Sequence, residues 1–290
     1  MERKYIDRLI HIFVTIFHKG FKRFSKYKNT TLRDGEELLS IDVVIPLIHK
    51  DLAIAGICIK MLKKNCLNPI NKIFIVSPES SKIRTFCNEN CLIFINENDA
   101  SPISKEKLAS MIVSNRVGWI LQQLIKLNSD QITDINRYFL LFDADTILNR
   151  KQFFITNQRY VLKHSDEFHY LYRVTNRKII GYSKLHPPSY ITHHQLIDKV
   201  ILKQLKNQIQ TNSKDTSWYD VIIRESIKNS CYFSEYELYA AFLLKKYRKR
   251  VIMQYWFNSN KKIQNLQDID NIKISEKLLS ASFHNYLKTP

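Results

Sequence analysis

Glycine and proline are scarce, with five and seven among 290 residues. So few glycines leave no Gly-rich phosphate loop, which argues against P-loop-type phosphoryl-transfer chemistry. Nothing reads as a low-complexity linker, and no internal period is visible. The five cysteines (Cys58, Cys66, Cys87, Cys91, Cys231) are odd in number and contain no CxxC pair. That disfavours a disulfide framework and fits buried, reduced thiols. Cys87 and Cys91 lie four apart, but no His/Cys pair completes a zinc site. No RNP-type motif supports nucleic-acid binding. Acidic residues are the scarcer charge: 27 Asp and Glu against 45 Lys and Arg give +18. Such an excess favours anionic partners such as phosphates, nucleic acid or an acidic membrane surface.

No apolar run is long enough to span a bilayer. The longest uncharged stretch near the start, Leu9 to Phe17, is interrupted by His11 and Thr15. It lacks a small-residue cleavage site, which disfavours a signal peptide. Ile6, Leu9, Ile10, Phe13, Ile16, Phe17, Phe21 and Phe24 instead recur at helical spacing. Eight Lys and Arg against Glu2 and Asp7 leave +6 over residues 1–28. Two readings stand for this basic amphipathic helix. It lies on an anionic membrane surface, or it packs on the body of the protein.

The hydrophobic fraction of 44% suffices for a packed core. Residues 29–40 are polar and read as a connection. Strands are expected at 41–48, 72–77, 91–95 and 138–142, with helices at about 53–62 and 105–128. This alternation indicates an α/β fold with a mainly parallel, Rossmann-like sheet. Ligands of such sheets bind beyond the carboxyl ends of the strands. Beyond Ile147 the pattern changes. Strands are expected at 168–172, 178–182 and 251–255, and helices at 190–208, 218–228 and 234–244. The chain thus divides into a first half, about 41–150, and an α+β second half, about 151–290.

The segment Tyr138-Phe139-Leu140-Leu141-Phe142-Asp143-Ala144-Asp145 carries the clearest chemistry. A buried strand ends in two carboxylates one residue apart. In an extended segment, positions i and i+2 point the same way. Both carboxylates can then meet one hard cation, Mn²⁺ or Mg²⁺, with phosphate oxygens completing its shell. A solvated turn is the alternative.

Four segments together resemble GT-A-type bacterial nucleotide-sugar glycosyltransferases. They are Val43–Pro46, Arg116-Val117-Gly118-Trp119-Ile120-Leu121-Gln122-Gln123, Phe142–Thr146 and Ser234-Glu235-Tyr236-Glu237-Leu238-Tyr239. The resemblance covers roughly residues 40–286. It implies a single GT-A-like domain over 41–290 that moves a sugar from a nucleotide-sugar donor to a surface-glycan or glycolipid precursor. The resemblance makes the first half, about 41–150, the donor half and the second, about 151–290, the acceptor half. It implies donor-binding roles for Pro46, Arg116, Gln122, Gln123, Asp143, Ala144 and Asp145. It also implies Asp143, Asp145 and His284 as ligands of Mn²⁺ or Mg²⁺. The implied location is cytoplasmic, peripheral at the inner face of the membrane. A nucleotidyl- or phosphoryl-transferase and a basic nucleic-acid-binding protein are the alternatives.

An inverting transferase needs a carboxylate to deprotonate the acceptor hydroxyl. Glu235 and Glu237 begin a helix behind Ser234 and are the candidates, Glu235 first because it lies at the helix mouth. Being two apart, they do not share a helix face. Capping is the alternative for both. His193, His194 and Trp218 are candidate acceptor contacts, against ordinary structural roles.

Overall fold

In the computed structural model, the described residues are 30–112, 115–165, 170–183, 189–213, 217–228, 232–255 and 279–282, together with Leu9, Ile12, Phe13 and Ile16. Strand β1 (Ile41–Pro46) is buried at every position, as expected of a strand covered on both faces. It leads through helix α1 (Leu52–Asn65) to β2 (Ile70–Ser77). Helix α2 (Ser81–Glu89) follows, capped by the Ser80 hydroxyl, which accepts from the Ile83 N–H. Next come β3 (Ile93–Asn96), a single turn α3 (Glu97–Ala100), α4 (Lys105–Met111) and α5 (Val117–Asn128). The single helix expected over 105–128 is therefore two. Strand β4 (Tyr138–Phe142) enters beside β1.

The main sheet has the order β3-β2-β1-β4, with neighbours parallel. Its fifth strand, β7 (His194–Asp198), is antiparallel to β4. The expected α/β fold with a mainly parallel sheet is thus the observed one. Two small pairs flank it. In one, β5 (Thr146–Leu148) runs antiparallel to β9 (Ser280–Ser282); in the other, β6 (Tyr160–His164) runs parallel to β8 (Val251–Tyr255).

The second half departs from expectation in two places. Residues 170–180 form helix α6 (Tyr170–Ile180), not strands; Phe168 and His169 lie outside the described residues. Tyr172, Thr175, Asn176, Ile179 and Ile180 are its buried side chains. That is a helical stripe (i, i+3, i+4, i+7, i+8), obscured in the sequence by two polar members. The helix expected over 190–208 begins instead as β7 and becomes α7 (Lys199–Ser213) only after Asp198. Helices α8 (Trp218–Lys228) and α9 (Glu235–Tyr247) lie where expected. Ser234 caps α9, accepting from the Glu237 N–H at 3.4 Å.

The polar connection packs on the domain. Leu38 bridges to Thr156, and Glu36 forms a buried ion pair with Arg159. Burial would raise the Glu36 carboxyl, but its hydrogen bond to Arg159 is the larger influence and holds it low. The N-terminal helix expected over 1–28 lies outside the described residues, apart from the four positions named above.

Candidate active site

Strand β1 connects away toward β2 while β4 begins the other half, so the strand order reverses between them. Such a switch point opens a crevice at the carboxyl edge of the sheet. The crevice here is a cavity of about 530 Å³. Pro46, Leu47 and Ile48 line it from the end of β1, Val76 and Pro78 from β2, and Asp143, Ala144 and Asp145 from β4. Helix α5 adds Gly118, Trp119, Gln122, Gln123 and Lys126; His193 and Ser234–Tyr236 close the far side. Of the sequence-derived site residues, the structure therefore gathers Pro46, Gln122, Gln123, Asp143, Ala144, Asp145, His193 and Glu235 around one cavity.

The organising group is one the sequence reading missed. Lys126 is only 2% exposed. Its ammonium lies 2.6 Å from Asp143 Oδ1 and 2.8 Å from Glu235 Oε1, and donates to the Tyr236 hydroxyl at 3.2 Å. An ammonium has three donors, and here each has a partner. Lys126 also lies 4.5 Å from the Tyr236 ring centroid. The available signal was spacing: 119, 123 and 126 form one helical row, so Lys126 extends the Trp119–Gln123 face.

Three charges in a buried site perturb one another. Burial opposes the Lys126 charge, yet Asp143 and Glu235 together raise its pKa. Burial likewise opposes ionisation of Asp143, but Lys126 and then His193 hold its carboxyl below the usual carboxylate range. Glu235 goes the other way. Burial, helped by the Asp143 charge, outweighs Lys126 and pushes its carboxyl up. Two carboxylates sharing one cation thus separate into a permanently ionised Asp143 and a more basic Glu235, the division of labour that acid–base sites need.

Backbone geometry fixes Asp143. Its N–H donates to the His193 carbonyl at 2.8 Å, while His193 Nδ1 meets Asp143 Oδ2 at 3.2 Å. His193 adopts φ +59, a left-handed conformation uncommon outside glycine. The Tyr236 hydroxyl donates to Asp143 Oδ1 at 2.9 Å. Gln123 accepts from the Glu235 N–H at 3.2 Å, tying α5 to the mouth of α9.

Other expected residues lie elsewhere. Glu237 faces away from the cavity: its Oε1 accepts from Ser189 Oγ at 2.8 Å and from the Tyr190 N–H at 2.9 Å. It holds the segment leading into β7. Arg116 does not line the cavity; its guanidinium stacks 4.3 Å over Trp119 and 5.0 Å over Tyr232. His194 does not line the cavity; it is wholly buried, with Phe154 edge-on at 5.6 Å. Burial keeps its imidazole neutral. Trp218 is buried beneath Lys206 and lines a separate cleft with Asp130. His284 lies outside the described residues.

Among the described residues, no group of three His, Cys, Asp or Glu side chains is placed to hold a metal ion. The carboxylate pair is nevertheless compatible with a cation that brings its own oxygen ligands. Lys126 and Tyr236 use both lone-pair directions of Asp143 Oδ1, and His193 uses one on Oδ2. Asp143 can therefore offer one further contact through Oδ2, beside Asp145 in the same cavity.

The architecture is that of an α/β protein with a ligand-sized crevice at its topological switch point. The chain belongs to DUF6492, a family of unknown function, whose model matches residues 39–280. Among curated proteins, no sequence match is found. Similar solved structures include mouse xyloside xylosyltransferase 1 in its apo form, at 10% identity and a TM-score of 0.49, covering 87% of this chain and 100% of that one. Galactosyltransferase LgtC, solved with donor and acceptor sugar analogs, is 12% identical with a TM-score of 0.46, covering 84% of this chain and 87% of that one.

Proposed function

We propose that this protein is a glycosyltransferase that uses a nucleotide-sugar donor and a hydroxyl-bearing glycan or glycolipid acceptor. One observation carries the reading: the Asp143/Asp145 pair at the end of β4 shares a switch-point cavity with Glu235, a buried carboxyl of raised pKa. The resemblance of the four sequence motifs to GT-A-type enzymes supports it. Asp145 and Asp143 Oδ2 would hold Mn²⁺ or Mg²⁺, with the donor diphosphate completing the shell. When bound, the cation neutralises charge on the departing diphosphate.

The protein's own groups do the rest. Glu235 accepts the proton of the acceptor hydroxyl as its oxygen bonds to the anomeric carbon. The carbon–phosphate-oxygen bond breaks, and its electron pair leaves with the nucleoside diphosphate. Lys126 stays protonated throughout and keeps Asp143 ionised beside the donor. Gln123 fixes the Glu235 backbone, and His193 fixes Asp143.

Turnover of nucleotide sugars tests the assignment. Glu235→Gln is expected to lower kcat by roughly 10²- to 10⁴-fold, the span of general-base catalysis, while donor Kd stays near the wild-type value. A Glu235→Gln enzyme with wild-type kcat removes Glu235 from the mechanism.

A further inference from the structure

Four large apolar side chains near the N-terminus face solvent. Leu9 is 65% exposed, Ile12 47%, Phe13 66% and Ile16 65%. All four positions are helical. Their spacing, i, i+3, i+4 and i+7, places them on one stripe. Single exposed apolar residues are ordinary on any protein, but a contiguous stripe marks an interaction surface. The body of the protein does not cover this one.

We infer that the stripe docks on the surface of a lipid bilayer containing anionic lipids. Charge selects this occupant. Residues 1–28 hold eight Lys and Arg (among them Arg8, Lys19, Lys22 and Arg23) against Glu2 and Asp7. A second copy of the same segment would bring +6 against +6, and repel. An anionic surface attracts the cations while its acyl boundary takes the apolar stripe, the binding mode of interfacial helices. The longest uncharged run of this segment, Leu9 to Phe17, is far shorter than the roughly 20 apolar residues needed to cross a membrane, so the contact lies in the interface plane. The inference stands independently of the reaction proposed above.

Co-sedimentation of the full chain with phosphatidylcholine vesicles, with and without phosphatidylglycerol, tests it. The wild-type chain is expected to bind the phosphatidylglycerol vesicles, and more weakly as salt rises. Ile12→Glu with Phe13→Glu is expected to lower that binding by about tenfold or more, because it places charge in the apolar boundary. Both positions are exposed, so an unchanged melting temperature will show that the variant is folded. A second variant, Lys22→Gln with Arg23→Gln, is expected to weaken binding to the anionic vesicles alone. Three results would each overturn the inference: no binding of the wild type, equal binding by the Glu variant, or binding indifferent to lipid charge. Self-association that the Glu variant abolishes, without vesicle binding, would assign the stripe to a second copy instead.

Discussion

Lys126 and Lys163 are buried to the same degree, each 2% exposed, but in different company. Lys126 sits between Asp143 and Glu235 at the cavity. Lys163, on β6, donates to the neutral side-chain oxygens of Gln152, at 2.7 Å, and Gln254. Burial alone then acts on Lys163 and brings its pKa down to about 7. The same burial acts on Lys126 and is overcome by two carboxylates. Between these two lysines the degree of burial is the same, and the charge of the partners makes the difference. Where the carboxylates are, the site has a permanent cation. Where only amides are, the protein carries a group that titrates near neutrality.

The largest test of this contrast is Lys126→Met. It strands two buried carboxylates and is expected to destabilise the fold by about 3–5 kcal/mol, measured by chemical denaturation. Adding Glu235→Gln should return part of that loss; an undiminished loss would mean that Glu235 was not held charged by Lys126. Next is the pH dependence of Lys163. Its folded pKa of about 7 lies below the ordinary lysine value of 10.5. Between those limits the unfolded chain binds the proton and the folded chain does not, so stability rises with pH across that window. Relative to a Lys163→Met variant, the wild type should gain roughly 2–4 kcal/mol from pH 7 to pH 10. Parallel pH profiles of the two proteins would contradict the account. The smallest effect is expected of Tyr236→Phe. It removes the hydroxyl's hydrogen bond to Asp143 and the one it accepts from Lys126, but leaves the lysine in place, and should cost about 1–3 kcal/mol. A cost as large as that of Lys126→Met would make the hydroxyl, not the lysine, the main partner of Asp143.

What could be read from the sequence follows the range of the forces involved. Strands β1, β2 and β4 announced themselves as apolar runs, and Ser234 as a cap, because those signals are local. The carboxylates Asp143 and Asp145 were legible because a buried strand ends at them. Strand β7 was not. Its composition, His-Gln-Leu-Ile-Asp, favours no strand by itself, and pairing with β4 decides the matter. The place of Lys126 was equally hidden, since Tyr236 is 110 residues away in sequence. Arg116 and Glu237 were assigned by motif and spacing, which report the neighbourhood of a side chain but not its direction. Arg116 turned to an aromatic pair, and Glu237 to the loop before β7.

The central claim is that Asp143 and Asp145 form a donor-diphosphate clamp, incomplete without the phosphate oxygens. Calorimetric titration of Mn²⁺ into the protein, with and without a nucleoside diphosphate, addresses it most directly. The account predicts weak Mn²⁺ binding alone, binding tightened by about tenfold or more with the nucleotide, and loss of that gain in Asp145→Asn. Mn²⁺ affinity indifferent to the nucleotide, or a gain that survives Asp145→Asn, would contradict it.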